Sequence, residues 1–132
     1  MVRNLPYERF IQTDLTDPYM PSATKAMEDL VTHITTKYAG KKLGVFCSND
    51  DIAGLFERQC IKKGISIPET VELIGYDNSP GSNNAILPIT SVDQNISLMA
   101  QIAIQSLDNY IPYESMVPAA LIEKETTSRS SL

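Results

Sequence analysis

Two apolar runs, "KLGVFC" at residues 42–47 and "TVELIGY" at residues 70–76, constrain the possible folds of this chain more than any other feature. Each run is nearly continuous, which is typical of a strand in a parallel sheet that is covered on both faces. A helical pattern begins at Asp50 or Asp51 and ends at Gly64, with apolar positions at Ile52, Ala53, Leu55, Phe56, Cys60 and Ile61. Strand, helix and strand with short connections predict two parallel strands joined by a right-handed crossover.

Further elements extend this unit in both directions. The pattern predicts a short strand at Glu8–Thr13, a helix from an N-cap at Ser22 to a stop at Gly40, and a third helix from about Ser97 to Tyr110. Short extended pieces are predicted at "ITSV" and "AALIEKE", before a polar C-terminal tail. The expected fold class is α/β, a three-layer parallel sheet with helices on both faces.

Composition limits the function. The 132 residues carry a net charge of −5 and form no basic patch, so we do not expect this chain alone to bind nucleic acid. Cys47 and Cys60 lie in apolar patterns, which indicates buried reduced thiols and not a metal site. No segment is long and apolar enough to span a membrane, and the N-terminus lacks a signal-peptide core. We therefore expect a cytoplasmic protein without a cofactor.

Both apolar strands end in polar tips, Ser48-Asn49-Asp50 and Tyr76-Asp77-Asn78. Ligands of open parallel sheets bind outside the carboxyl ends of the strands, so these tips are predicted to converge on one edge. Amide and carboxylate groups there suit a polyhydroxyl ligand such as a sugar. In the rival interpretation Asp50 caps the helix and Asp77 opens a turn. We favour the cap for Asp50 and leave both interpretations open for Asn49 and Asp77.

No catalytic motif is present. The sequence contains no GxSxG, HExxH or GxxxxGK[ST], and its single histidine limits triad chemistry. Acidic residues at strand ends occur also in phospho-accepting receiver domains, but there the acidic pair follows the first strand and the acceptor follows the third, and the order differs here. The expectation is a protein that is not an enzyme.

The segments "SNDDIA", "KKGISIPETVELIGYDNS", "ITSVDQN" and "LIEKETT" together resemble the effector-binding domain of LacI/GalR-type transcriptional regulators, a periplasmic-binding-protein-like type I fold. The resemblance is clear from about Leu43 to Ser128. It implies a sensor that binds a small effector, a sugar or sugar derivative, between two lobes. Asn49 and Asp77 match the family's effector-contacting asparagine and aspartate, and Gln94 lies where the family often has a polar contact. Tyr19 is the candidate for stacking on the sugar face, with Leu15 as the alternative.

The resemblance also implies a division of the chain and a dimer. Residues 1–92 would be the C-terminal lobe, residues 93–112 a crossover and helix of an N-terminal lobe that is missing here, and residues 113–132 a return strand and tail. The DNA-binding headpiece is absent, so DNA would be a partner only of the parent protein. The expected homodimer interface includes Ile52, Leu55, Phe56, Ser79 and Asn83, with Leu55 or Phe56 facing the partner. A sugar-binding protein of a transport system with the same fold is the alternative.

Overall fold

The structure is a computed structural model that describes residue 17 and the ranges 19–109 and 116–128. In these ranges the chain forms helices and strands that alternate regularly. In chain order they are α1 (Pro21–Lys37), β1 (Leu43–Phe46), α2 (Asp50–Lys62), β2 (Val71–Tyr76), α3 (Pro80–Asn83), β3 (Thr90–Asp93), α4 (Ile96–Asn109) and β4 (Ala120–Ile122).

The strands form one sheet in the order β1-β2-β3-β4. The first three are parallel, as the crossover pattern predicts, with Phe46 opposite Ile74 and Tyr76 opposite Val92. The predicted α/β fold is confirmed, and the parallel strands carry one antiparallel strand, β4, which pairs with β3 at the edge of the sheet. An antiparallel edge strand returns the chain toward the amino ends of its neighbours.

The segment after β4 forms hydrogen bonds to both β2 and β3 through Thr126. The Thr126 backbone carbonyl accepts a hydrogen bond from the Leu73 N–H at 2.9 Å, and the Thr126 hydroxyl donates to the Leu73 carbonyl at 2.7 Å. The same hydroxyl oxygen accepts the Thr90 N–H at 2.9 Å. Thr126 is fully buried and therefore links β2 to β3 at the level where these strands begin to pair.

One face of the sheet carries the core. Val71, Leu73 and Gly75 alternate along β2 as buried residues, and α2 lies over them, with Ala53 Cβ 3.4 Å from the Cβ position at Gly75. Helices α1 and α3 pack against α2 on this side. Met27, Val31 and the other apolar residues of α1 close the same cluster.

The opposite face is open among the described residues. Phe46 is 62% exposed there, and its ring meets Tyr76 edge-on with centroids 6.3 Å apart. Leu121 on β4 is also exposed on this side. Helices α1, α2 and α3 all lie on the other, Gly75 side of the sheet.

Helix α4 forms no extended packing with any other described helix or strand. Its apolar side chains remain in contact with solvent, with Ile96 59%, Ile104 60% and Leu107 76% exposed. A helix that is apolar on most of its surface is normally buried. Its exposure distinguishes α4 from α1 and α2, whose apolar faces are covered.

The element boundaries follow the sequence pattern with small shifts. Helix α1 has Met20 at its N-cap and Pro21 at its first position, so the predicted cap at Ser22 is wrong. Cys47 and Cys60 are buried free thiols, as predicted. Burial raises the pKa of each thiol to about 12, so neither is a reactive thiolate. The predicted strand at Glu8–Thr13 and the predicted helix end at Tyr110 lie outside the described residues.

Candidate functional site

Asn49 and Asp77 follow the carboxyl ends of the adjacent strands β1 and β2. Phe46 pairs with Ile74, and Asn49 and Asp77 each follow three residues later along their adjacent strands. Asn49 is half-buried and is the N-cap of α2, where its Oδ1 accepts the Ile52 N–H at 2.9 Å. Among the described residues this cap uses Oδ1 only, so the two N–H donors of Nδ2 can serve another partner. The prediction that Asp50 caps this helix is wrong, because the preceding residue has this role.

Asp77 and Gln94 are in direct contact. The Gln94 Nε2 group donates a hydrogen bond to Asp77 Oδ1, and within the described part of the chain Asp77 Oδ2 and Gln94 Oε1 remain as acceptors. Asp77 has a φ of 99°, a left-handed conformation that is unfavourable for a residue with a Cβ atom. Non-glycine residues in this region cluster at functional sites, where the surrounding structure holds them.

Asp50 lies beneath this edge as a buried carboxylate that is only 3% exposed. Its Oδ2 accepts the Ser79 backbone N–H at 2.7 Å, and its Oδ1 accepts the Ser91 hydroxyl at 2.6 Å. The Ser91 oxygen in turn accepts the Asn78 N–H at 3.0 Å. Asp50 therefore joins the start of α2 to β3 and to the turn that follows β2.

Asn78 is a second residue, after Asp50, that links several segments at this edge. Its Oδ1 accepts the Lys124 ammonium at 2.9 Å, and its Nδ2 donates to Asp93 Oδ2 at 3.1 Å. Lys124 also donates to the Ser82 hydroxyl at 2.7 Å. Partial burial lowers the pKa of Lys124, against the attraction of the Asp50 carboxylate. The pKa of Asp93 is lowered mainly by the Asn95 N–H and then by Asn78.

Tyr19 lies beside α2 and is 78% exposed. A side-chain hydrogen bond to Asp51, followed by repulsion from its negative charge, raises the pKa of the Tyr19 phenol. Asp51 Oδ1 lies 3.6 Å from the Cβ position at Gly81, which places this pair on the α3 side of the edge. The structure therefore places Tyr19 beside Asp51 at the start of α2. Leu15, its alternative, lies outside the described residues.

The residues of the expected dimer interface divide into two groups. Leu55 and Phe56 are 3% and 1% exposed and lie in the core, so the prediction that one of them faces a partner is wrong. Helix α2 is covered by the sheet on one flank and by α1 and α3 on others, so two adjacent positions are both enclosed. Asn83 is exposed, and Ile52 and Ser79 are half-buried, so these three retain accessible surface.

Glu57 anchors the loop between α3 and β3. The carboxylate is fully buried in α2 and accepts the Leu87 N–H at 2.6 Å and the Ile86 N–H at 3.2 Å. Burial raises the pKa of Glu57, while these two N–H groups act in the opposite direction. Asp50 and Glu57 are thus two buried acids on the sheet-facing side of one helix.

The site can recognise hydroxyl groups through directional hydrogen bonds. Asn49 offers donors, Asp77 and Gln94 offer acceptors, and a sugar hydroxyl both donates and accepts. The negative charge of Asp77 disfavours phosphate. Within the described ranges no three metal-ligating side chains are grouped so as to hold a metal ion. No helix in those ranges has the length and hydropathy that crossing a membrane requires.

Sequence reasoning placed Asp50 and Asn78 at this edge, but it missed their partners Ser91 and Lys124 and the burial of Asp50 beneath the edge. A signal for Asp50 was present, because Asp50, Ala53, Glu57 and Cys60 follow the three- and four-residue spacing of one helix face. That face is the buried one, so an acid in this register predicts a hydrogen-bonded carboxylate under the sheet edge. Lys124 carries no comparable signal, since its partners are 46 and 42 residues away in sequence.

The family follows from this fold and from a direct comparison of sequences. The family model described as "Periplasmic binding protein-like domain" matches residues 5–132. The chain belongs to this family, and the resemblance to the effector-binding domain of LacI/GalR-type regulators is confirmed. The HTH-type transcriptional repressor PurR of Glaesserella parasuis is 32% identical over 95 residues, which cover 67% of this chain and 28% of that protein. The ribose operon repressor of Bacillus subtilis is 27% identical over 92 residues, covering 65% of this chain and 28% of that protein.

Solved structures agree on the fold. A LacI family transcriptional regulator from Lactobacillus casei with bound sucrose has a TM-score of 0.65 at 18% identity, covering 80% of this chain and 40% of that chain. The lac repressor dimer bound to operator and the anti-inducer ONPF has a TM-score of 0.64 at 18% identity, covering 79% of this chain and 38% of that chain. The chain spans about 28% of the length of the curated relatives that it matches.

Proposed function

We propose that this chain is the C-terminal lobe of the effector-binding domain of a LacI/GalR-type transcriptional regulator, and that it supplies half of a site for a sugar or sugar derivative. The observation that carries the proposal is the convergence of Asn49, Asp77 and Gln94 on one edge of the sheet. The relatives are named as repressors, which favours a regulator over a transport protein. A regulator acts on DNA, so the proposed location is the cytoplasm, and no catalytic activity is assigned.

The ligand would lie between this edge and a second lobe. Asn49 Nδ2 would donate to one hydroxyl, and Asp77 Oδ2 and Gln94 Oε1 would accept from others. Residues 1–92 and 113–132 would form the lobe described here, and residues 93–112 would belong to the second lobe. The exposed apolar surface of α4 supports this division, because Ile96, Ile104 and Leu107 are mostly exposed and the helix packs extensively against no other described helix or strand.

In the parent protein, ligand binding would regulate DNA affinity through lobe orientation. A ligand that contacts both lobes favours the arrangement in which both sets of contacts are made. Coupling to a DNA-binding headpiece then requires only that DNA favours the other arrangement. This chain alone would bind neither DNA nor a sugar tightly, since half of the cleft lies elsewhere.

Calorimetric titration of the chain with ribose, glucose and sucrose tests the half-site. We expect at most millimolar affinity, about −4 kcal/mol, since few hydrogen bonds contribute and one wall of the cleft is missing. Asp77→Asn should weaken binding about tenfold, because an acceptor becomes a donor. Glu69→Gln is the matched control, because it removes the same charge from an exposed residue just before β2, at the opposite edge. Nanomolar binding, or equal binding by both variants, would contradict the proposal.

We also propose that the lobe forms a homodimer through the surface of α2 and α3 that carries Ile52, Ser79 and Asn83. All three residues retain accessible surface. They lie close together because α2 packs against α3. A related structure of similar fold is a dimer. Light scattering should detect a dimer in the wild-type chain, and Asn83→Arg should weaken it. A monomer at high micromolar concentration would count against this part of the proposal.

A further inference from the structure

We propose that Asp50 is a positioning residue for the effector site: its buried carboxylate fixes the turn that presents Asp77. This inference rests on the proposed function, since it assumes that Asp77 contacts the effector. Asp50 would not itself touch the ligand, because it is 3% exposed and both of its oxygens are already engaged. Its role would be exerted through Asn78 and Ser79, the two residues that follow Asp77.

The hydrogen bonds run from one carboxylate to two successive backbone amides. Ser79 donates its N–H directly to Asp50 Oδ2 at 2.7 Å. Asn78 donates its N–H to Ser91 Oγ at 3.0 Å, and Ser91 donates its hydroxyl to Asp50 Oδ1 at 2.6 Å. Hydrogen bonds to an ionised acceptor are roughly twice as strong as neutral ones. One side chain therefore holds both peptide groups after Asp77.

The turn needs such support because its backbone is strained. Asp77 has a φ of 99° and Asn78 a φ of 48°, so two consecutive non-glycine residues are left-handed. Each such residue is stable only where the surrounding structure over-determines it. Asp77 itself is held on the β3 side by its N–H, which donates to the Val92 carbonyl at 2.9 Å. Without the Asp50 contacts, the rest of the turn would lose its attachment to α2.

Lys124 completes the support from the other end of the chain. Its ammonium reaches Asn78 Oδ1 at 2.9 Å and Ser82 Oγ at 2.7 Å, and Ser82 donates to the Ser79 carbonyl at 2.8 Å. Lys124 and Asp50 thus both hold this turn, one with a positive and the other with a negative charge. The C-terminal segment is in this way connected to the proposed binding residue.

Amide exchange and amide chemical shifts, measured by NMR on the ligand-free chain, test the inference. Asp50→Ala should accelerate exchange at Asn78 and Ser79 by about tenfold or more beyond the change at other amides, and should move the Ser79 proton resonance upfield. Asp50→Asn should largely restore protection, because its Oδ1 accepts from Ser79 and its Nδ2 donates to Ser91. Ser91→Ala should expose Asn78 while Ser79 stays protected, and it serves as the test if Asp50→Ala does not fold.

The control is Val71→Ala, which makes a cavity at the other end of β2 and should accelerate exchange without selecting the turn. The inference is overturned if Asp50→Ala and Val71→Ala give the same exchange pattern, or if Ser91→Ala affects Asn78 and Ser79 equally. No sugar is present in any arm, so failure to bind a sugar would refute the proposed function and leave this result standing.

Discussion

Gly75 determines whether Asp50 can occupy its place beneath the sheet edge. A Cβ atom at this position would overlap Asp50 Oδ1 and would lie 3.3 Å from Asp50 Cγ and 3.4 Å from Ala53 Cβ. Gly75→Ala would therefore displace the carboxylate from Ser79 and Ser91, or push α2 away from β2. The first outcome breaks two hydrogen bonds to a charged group, each contributing about 1.5–3 kcal/mol. It also leaves the carboxylate buried without partners, so we expect a loss of about 3–5 kcal/mol.

Such a loss is large for a domain of this size, whose free energy of unfolding is about 5–15 kcal/mol. Urea unfolding followed by far-ultraviolet circular dichroism should place the midpoint lower by about 2 M, for a slope of about 2 kcal/mol per M. Gly44→Ala is the matched control, because a Cβ atom at Gly44 on β1 meets nothing within 4 Å. Its effect should stay within about 0.5 kcal/mol.

A double-mutant cycle with Asp50→Ala separates the cause. Once the carboxylate is removed, Gly75→Ala should add little further destabilisation, since the overlapping atom is gone. The reasoning is refuted if Gly75→Ala unfolds within about 0.5 kcal/mol of the wild type, or if the two substitutions are additive.

Three further predictions concern the core, the exposed helix and the base of the sheet. Burial raises the pKa of Glu57 above 4.5, so the folded protein binds its proton more tightly, and the stability from this group falls as pH rises through the raised value. Urea unfolding at pH 4 to 7 should reveal this loss in the wild type and not in Glu57→Gln; parallel profiles would contradict it. Met27 is 1% exposed, so Met27→Ala should lower the free energy of unfolding by about 2–5 kcal/mol in the same assay. Leu107 on α4 is 76% exposed, so Leu107→Ala should change it by no more than about 0.5 kcal/mol. Equal losses for the two variants would mean that α4 is packed. Thr126→Val should cost about 1–3 kcal/mol, because the buried Thr90 N–H loses its acceptor; an unchanged midpoint would refute that role.

The sequence was most informative where one short pattern determines the structure. The apolar runs around Val45 and Leu73, with a helical period between them, predicted adjacent parallel strands correctly. The polar tips were then predicted to meet at one edge, and Asp50 of the first tip accepts the N–H of Ser79, the residue directly after the second tip. The two-residue period of a strand is a local property of the sequence, and the right-handed crossover is nearly universal in parallel sheets. Both features can therefore be predicted without knowledge of the tertiary contacts.

The sequence led to the wrong cap for α2, Asp50 in place of Asn49. Both residue types are favoured N-caps, and they are adjacent, so local preference does not separate them. The decision is tertiary, because Ser79 and Ser91 lie 29 and 41 residues from Asp50 and draw its carboxylate under the sheet. Burial of both Leu55 and Phe56 has the same origin, since it depends on which neighbours enclose α2.

Mapping of ligand contacts by NMR is the most direct test of the half-site at the carboxyl edge. A titration of the ¹⁵N-labelled chain with ribose, glucose and sucrose should shift the backbone amides of Asn49, Asp77 and Gln94, and the side-chain amides of Asn49 and Gln94, for the sugar that binds. Amides at the amino end of the sheet, such as Glu69 and Thr70, should stay unchanged. Saturable shifts confined to the amino end or to α1, with the carboxyl edge silent, would contradict the account.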